Sequence, residues 1–128
     1  MPTVLVVDDE FVVADLLETI LTDEGYRVLT ACNGKQALAR MADATPDLIL
    51  LDFMMPILDG AGMLRAIAAA PAYRHIPVIM ISSLNEEVIG QRCAGYAAFL
   101  RKPFRVAAVL SAVARVLGDE TPDTSGSL

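Results

Sequence analysis

No stretch of this chain is apolar for the ~18–20 residues that a bilayer-spanning helix needs, although 55% of its 128 residues are hydrophobic. The opening residues, MPTVLVVDDE, carry no basic flank and reach acid by position 8, which excludes the pattern of a secretory signal. The chain is therefore expected to be cytoplasmic, with no membrane partner. Cysteine is scarce. Cys32 and Cys93 are the two present, in no metal-ligand spacing, and in that compartment they are expected as free thiols. The single histidine, His75, stands between Pro71 and Pro77, with nothing beside it to suggest a phosphohistidine. Positive charge is also short: ten Lys and Arg face sixteen Asp and Glu, a net charge of -6. That balance argues against direct nucleic-acid binding, which needs a basic face for the phosphates. A Gly-rich phosphate loop is missing too. Asp8, Asp9 and Glu10 stand where a nucleotide- or flavin-binding fold would place glycines.

What is present is alternation. Thr3–Val7 (TVLVV) reads as a strand buried on both faces. A helical pattern follows, with Val13, Leu16, Leu17, Ile20 and Leu21 on its apolar face and Gly25 as its stop. Arg27–Cys32 is a second strand, Lys35–Ala44 a helix after Asn33-Gly34, and Leu48–Leu51 a third strand. Asp59-Gly60 starts a helix through Ala70, ended by Pro71. Pro77–Ser82 is strand four, Asn85–Ala94 a weaker helix broken by Gly90, and Ala97–Leu100 strand five. Arg105–Leu117 closes the series, with Val106, Val109, Leu110, Val113 and Leu117 as its stripe. This (βα)5 order predicts an α/β fold: a doubly wound parallel sheet with helices on both faces and right-handed crossovers. One domain is expected over residues 1–118. Residues 119–128, rich in Ser, Thr and Asp, read as a polar tail or linker.

In such sheets ligands bind beyond the carboxyl ends of the strands, and the chain's chemistry gathers there. Strand one ends in Asp8-Asp9, strand three in Asp52, strand four in Ser82-Ser83; Lys102-Pro103 follows strand five. Carboxylates sharing a pocket raise one another's pKa unless a cation sits among them. Oxygen ligands without His or Cys select a hard ion, and Mg²⁺ suits a few carboxylates plus retained water. Lys102 adds a positive charge and Ser82 a hydroxyl. Together they can hold a tetrahedral oxyanion beside Asp52, a carboxylate able to form an aspartyl phosphate. Singly, each residue has a plainer reading. Asp8-Asp9 can cap a helix, Ser82 can serve a turn, Lys102 can be a solvated charge, and Phe99 and Met54 can be packing. Glu10 reads as helix-start charge rather than a ligand.

The segments VLVVDDE, LILLDFMMPILDG, PVIMISS and GYAAFLRKPF, in that order, resemble the receiver (response regulator) domain of two-component signal transduction systems. The likeness covers about residues 3–118. It implies a flavodoxin-like sheet in the order 2-1-3-4-5, an order receivers themselves illustrate. It implies Asp52 as phosphoacceptor. Mg²⁺ would be held by Asp9 directly, by Asp8 mainly through water, and by Asp52 and the Met54 backbone carbonyl. Lys102 would pair with the phosphoryl group, or with Asp52 before transfer, Ser82 would move to bond the phosphoryl oxygen, and Phe99 would be the switch aromatic. The Lys102-Pro103 peptide would be cis. The donor would be a sensor histidine kinase or phosphotransfer protein, and the output a protein target or effector domain. The protein would be no enzyme beyond its own phosphorylation and dephosphorylation. Between Ser82 and Gly95 the chain is shorter than the usual family spacing, so the usual dimer face is not assumed and a monomer or weak dimer is expected. Two alternatives differ in chemistry. A phosphorylation-independent adaptor would keep the fold and drop the transfer. A small Asp-nucleophile phosphatase would want a second acid two positions after the nucleophile, where this chain has Met54.

Overall fold

A computed structural model of the chain describes residues 1–118; the tail expected over 119–128 lies outside them. Ten elements alternate: β1 (Thr3–Val7), α1 (Phe11–Asp23), β2 (Arg27–Ala31), α2 (Gly34–Asp43), β3 (Leu48–Asp52), α3 (Gly60–Ala69), β4 (Val78–Ser82), α4 (Glu86–Arg92), β5 (Ala98–Arg101) and α5 (Val106–Leu117). The strands form one parallel sheet in the order β2-β1-β3-β4-β5. The winding reverses between β1 and β3, so the crevice for a ligand opens above their carboxyl ends.

Strand parity sorts the core into two layers, because successive side chains leave a strand on opposite faces. Val4 and Val6 of β1, Leu48 and Leu50 of β3, and Ile79 and Ile81 of β4 pack with α1 and α5 through Leu17, Leu21, Val109 and Val113. Leu5, Val7, Ile49, Leu51, Val78 and Met80 pack on the other face with α2, α3 and α4 through Met41, Met63, Ile67 and Ile89. β1, β3 and β4 are buried on both faces, which is why they read as unbroken apolar runs. The same parity, continued past the strand ends, sends Asp8, Asp52 and Lys102 towards the α1–α5 face. Ser82 and Phe99 fall on the other.

Local chemistry sets the helix ends. Asn33, Asp59 and Asn85 cap α2, α3 and α4 by accepting from the Gln36, Gly62 and Val88 N–H groups at 2.8, 2.8 and 3.0 Å. Gly25 follows α1 at φ 95°, where a glycine carries no Cβ penalty. Several boundaries move by a residue or two. β2 ends at Ala31, not Cys32; β3 includes Asp52; β5 is Ala98–Arg101; and α4 spans only seven residues, short of the expected Asn85–Ala94. Two stripe assignments are corrected. Leu16 and Val106 are each 45% exposed, while Ala14, Leu17 and Leu21 of α1 and Val109, Ala112 and Val113 of α5 face the sheet. Both helices are apolar on more than one side, so periodicity alone misjudged which arc meets the sheet. Both cysteines are free, and no described helix is long and apolar enough to cross a membrane.

Candidate functional site

The parallel register brings β1 and β3 level, Val7 opposite Leu51, so Asp8 and Asp52 emerge side by side. Both are buried, at 2% and 4% exposure, and Ser82 is buried beside them at the tip of β4. Asp8 is held by its own turn: its Oδ1 accepts the Glu10 N–H at 2.8 Å, and its N–H donates to the Ala31 carbonyl at 3.0 Å. Its Oδ2 has no hydrogen-bond partner, although the Lys102 ammonium stands 3.1 Å away as an ion pair. The expected cis peptide between Lys102 and Pro103 is present. The Lys102 N–H donates to the Ser82 carbonyl at 2.8 Å, tying the loop after β5 to the tip of β4.

Lys102 is the one ammonium at the centre of this group. Its Nζ lies 2.6 Å from Glu10 Oε1, 3.1 Å from Asp8 Oδ2 and 3.6 Å from Asp52 Oδ1. Burial works against its charge, but the Glu10 hydrogen bond and the Asp52 and Asp8 carboxylates outweigh that and raise its pKa. Burial pushes the Asp52 carboxyl up to about 7. The Asp8 charge adds to the rise, Lys102 opposes it, and Asp9 adds both charge and a side-chain hydrogen bond. Burial also raises Asp8, against the Glu10 N–H and Lys102, which lower it. One cation therefore does not satisfy the carboxylates gathered here.

Two further acids, Glu10 and Asp9, flank the buried pair. Asp8, Glu10 and Asp52 each offer an oxygen within 4.8 Å of the others. Asp9 is exposed and meets the pocket through its contact with Asp52. Glu10 stands at the helix start, at the N-cap position of α1, but its carboxylate makes no capping bond there and reaches Lys102. The fit to a divalent ion is good. The donors are all oxygen, the buried Asp8 Oδ2 has only the shared Lys102 ammonium beside it, and the carboxyl pKa values are raised in a way that added positive charge relieves.

The remaining site residues sit nearby without touching Asp52 through any hydrogen bond. Ser82 Oγ accepts the Leu84 N–H at 3.0 Å, which leaves its own O–H free to donate. Phe99 is half-buried against the α2–α4 layer, its ring 6.5 Å from that of Tyr96. Met54 is exposed and lines a cleft of about 800 Å³ with Asp9, Glu10, Asp52, Ser82 and Lys102. Val13, Leu16, Pro103 and Phe104 make its apolar wall.

Two glycines shape the loop between β3 and α3. A Cβ on Gly60 would stand 2.6 Å from the Phe53 Cα and 2.8 Å from the Asp52 carbonyl oxygen. A Cβ on Gly34 would meet Leu58 at 2.8 Å. The loop holds Ile57 at φ 71°, with the Leu58 N–H donating to the Pro56 carbonyl at 2.8 Å, the pattern of a strained γ-turn.

A family model described as the response regulator receiver domain matches residues 4–114. Response regulator PleD of Caulobacter vibrioides is 45% identical over 104 residues, covering 78% of this chain and 22% of PleD. Protein PilG of Pseudomonas aeruginosa is 38% identical over 122 residues, covering 93% of this chain and 90% of PilG. This chain thus spans about a fifth of one relative and most of another. Among solved structures, the chemotaxis response regulator CheY4 of Vibrio cholerae superposes with a TM-score of 0.85 at 31% identity, covering 91% of this chain and 98% of that one. The receiver domain of sensor histidine kinase PA1611 from Pseudomonas aeruginosa PAO1 gives 0.84 at 31% identity, with 91% and 98% coverage. That structure carries a magnesium ion coordinated in its active site cleft.

Proposed function

This chain belongs to the response regulator receiver domain family, and from that premise we propose that it accepts a phosphoryl group on Asp52 and passes the signal on by protein contact. The observation that carries the reading is the meeting of buried Asp8 and Asp52 with Lys102 at the winding reversal of the sheet. The donor is a sensor histidine kinase or phosphotransfer protein. An Asp52 oxygen attacks the phosphorus of its phosphohistidine. The P–N bond breaks, its electron pair stays on the imidazole nitrogen, and a P–O bond forms. Asp8, Asp9, Asp52 and the Met54 carbonyl would hold Mg²⁺, which when bound supplies the charge that neutralises the carboxylates and the incoming phosphoryl oxygens.

Lys102 offsets charge on the phosphoryl oxygens, and preset positive charge of this kind is the main device in phosphoryl transfer. The free Ser82 O–H donates to one of those oxygens. That movement opens space which Phe99, on the same face of the sheet, can follow. The apolar cleft wall of Val13, Leu16, Pro103 and Phe104 supports a donor that docks over the site. The output surface binds a protein target or an effector domain, in the cytoplasm, with the chain a monomer or weak dimer. Its only catalysis is its own phosphorylation and dephosphorylation.

Acetyl phosphate with wild type and Asp52→Asn, with and without Mg²⁺, read by intact mass, tests this. One phosphoryl group is expected on the wild type with Mg²⁺, and none after EDTA or in the variant. An unmodified wild type that also fails to bind beryllofluoride would overturn the reading in favour of an adaptor.

A further inference from the structure

Glu10 occupies the N-cap position of α1, yet its side chain makes no capping bond. Its backbone serves the helix: the carbonyl accepts the Ala14 N–H at 3.0 Å, and the N–H goes to Asp8. Its carboxylate crosses the cleft mouth to Lys102, 92 positions away in the chain, at 2.6 Å. That is the shortest of the three ion pairs Lys102 makes, and the Glu10 side chain is 60% exposed while those of Asp8 and Asp52 are buried. Glu10 is thus the partner that water can receive most cheaply when the ammonium leaves.

We propose that Glu10 is a positioning residue for Lys102: it holds the ammonium at the cleft mouth, off Asp52, and yields it when a phosphoryl group arrives there. The proposal rests on the phosphoacceptor reading above. Three carboxylates share one ammonium in the resting protein. A phosphoryl group brings a charge of about -1.5 to -2 and three acceptor oxygens, which outcompete one exposed carboxylate. Glu10 then turns to solvent, and the tie between the start of α1 and the loop after β5 opens. Because the carboxylate caps nothing, it can be altered without weakening α1.

The test follows the Glu10 carboxyl carbon by ¹³C NMR. Lys102→Met is expected to move this signal to a released position. In wild type, Mg²⁺ with beryllofluoride is expected to move it to that same position. In the Lys102→Met variant, Mg²⁺ alone is expected to leave it there. Glu10→Gln should lower the beryllofluoride concentration for half-saturation by about threefold, the scale of one exposed ion pair, and lower the melting temperature of the metal-free protein only slightly, by the loss of that same pair.

A Glu10 signal indifferent to Lys102→Met would overturn the proposal, as would an unchanged or raised half-saturation in Glu10→Gln. A shift with Mg²⁺ alone in the Lys102→Met variant would make Glu10 a metal ligand and also overturn it. Beryllofluoride that moves the backbone signals around Asp52 while Glu10 stays put rejects only the positioning role. Beryllofluoride that moves neither rejects the phosphoacceptor reading and the proposal with it.

Discussion

Lys102 Nζ stands 3.6 Å from Asp52 Oδ1, near enough to feel its charge and beyond hydrogen-bond reach. The ammonium acts as an internal counter-ion for a buried carboxylate without being locked to it. Both residues line the same cleft of about 800 Å³, so the ammonium can take a further partner there.

Replacing Lys102 with Met removes the ammonium from Asp8, Glu10 and Asp52. The metal-free protein is expected to lose roughly 1–3 kcal/mol at pH 8, because breaking a buried pair leaves charge uncompensated. Mg²⁺ should restore most of that loss. Its affinity should rise several-fold, since the ion no longer competes with an ammonium. Chemical denaturation with and without Mg²⁺, together with calorimetric titration, reads both effects. A lowered Mg²⁺ affinity would contradict the competition.

The Asp52 carboxyl, raised from 3.8 to about 7, carries a pH signature. Below about pH 4 it is neutral in both the folded and the unfolded chain. Between there and about pH 7 only the unfolded chain ionises it, so its contribution to stability falls as pH rises. Above about 7 the penalty is complete. Asp52→Asn is therefore expected to stabilise the metal-free protein by on the order of 2 kcal/mol at pH 8 and by almost nothing at pH 3.5. Denaturation midpoints of both proteins across that range measure the difference. A gain independent of pH would place its cause elsewhere.

Gly90 and Gly60 should respond oppositely to alanine. A Cβ on Gly90 meets only the Tyr96 hydroxyl, at 3.9 Å, so Gly90→Ala should stabilise α4 by about 0.5–1 kcal/mol. A Cβ on Gly60 would collide with backbone at Phe53 and Asp52. Gly60→Ala should therefore cost about 1–3 kcal/mol and weaken Mg²⁺ binding, because the strand end that carries Asp52 must shift. Thermal melts and metal titration of both variants check the pair.

Ile57 holds a positive φ of 71°, a costly conformation for a β-branched residue, and it is exposed, so little packing compensates it. Ile57→Gly should be neutral or stabilising by up to about 1 kcal/mol: relieved strain outweighs the added freedom of the unfolded chain. A clear loss of stability in a thermal melt would mean that the side chain packs in solution.

The alternation of elements, the sheet class and the identity of the acids at the strand tips were legible in the sequence. Each depends on local chemistry: β-branched apolar runs for strands buried on both faces, Asn and Asp before helices, and glycine or proline after them. The resemblance supplied the strand order, which the register of the sheet then displays. Periodicity was less informative for α1 and α5, where apolar residues cover more than one arc and only contact with the sheet selects Leu17 over Leu16. The partner of Glu10 was out of reach for a related reason. Its carboxylate is defined by a residue 92 positions away, and no local pattern carries that distance. The sequence by itself determined which groups stand at the strand ends, because strand length and side-chain alternation are local properties. Only the tertiary structure decided which of them share Lys102, because that depends on how α1 and the loop after β5 close over the same face of the sheet.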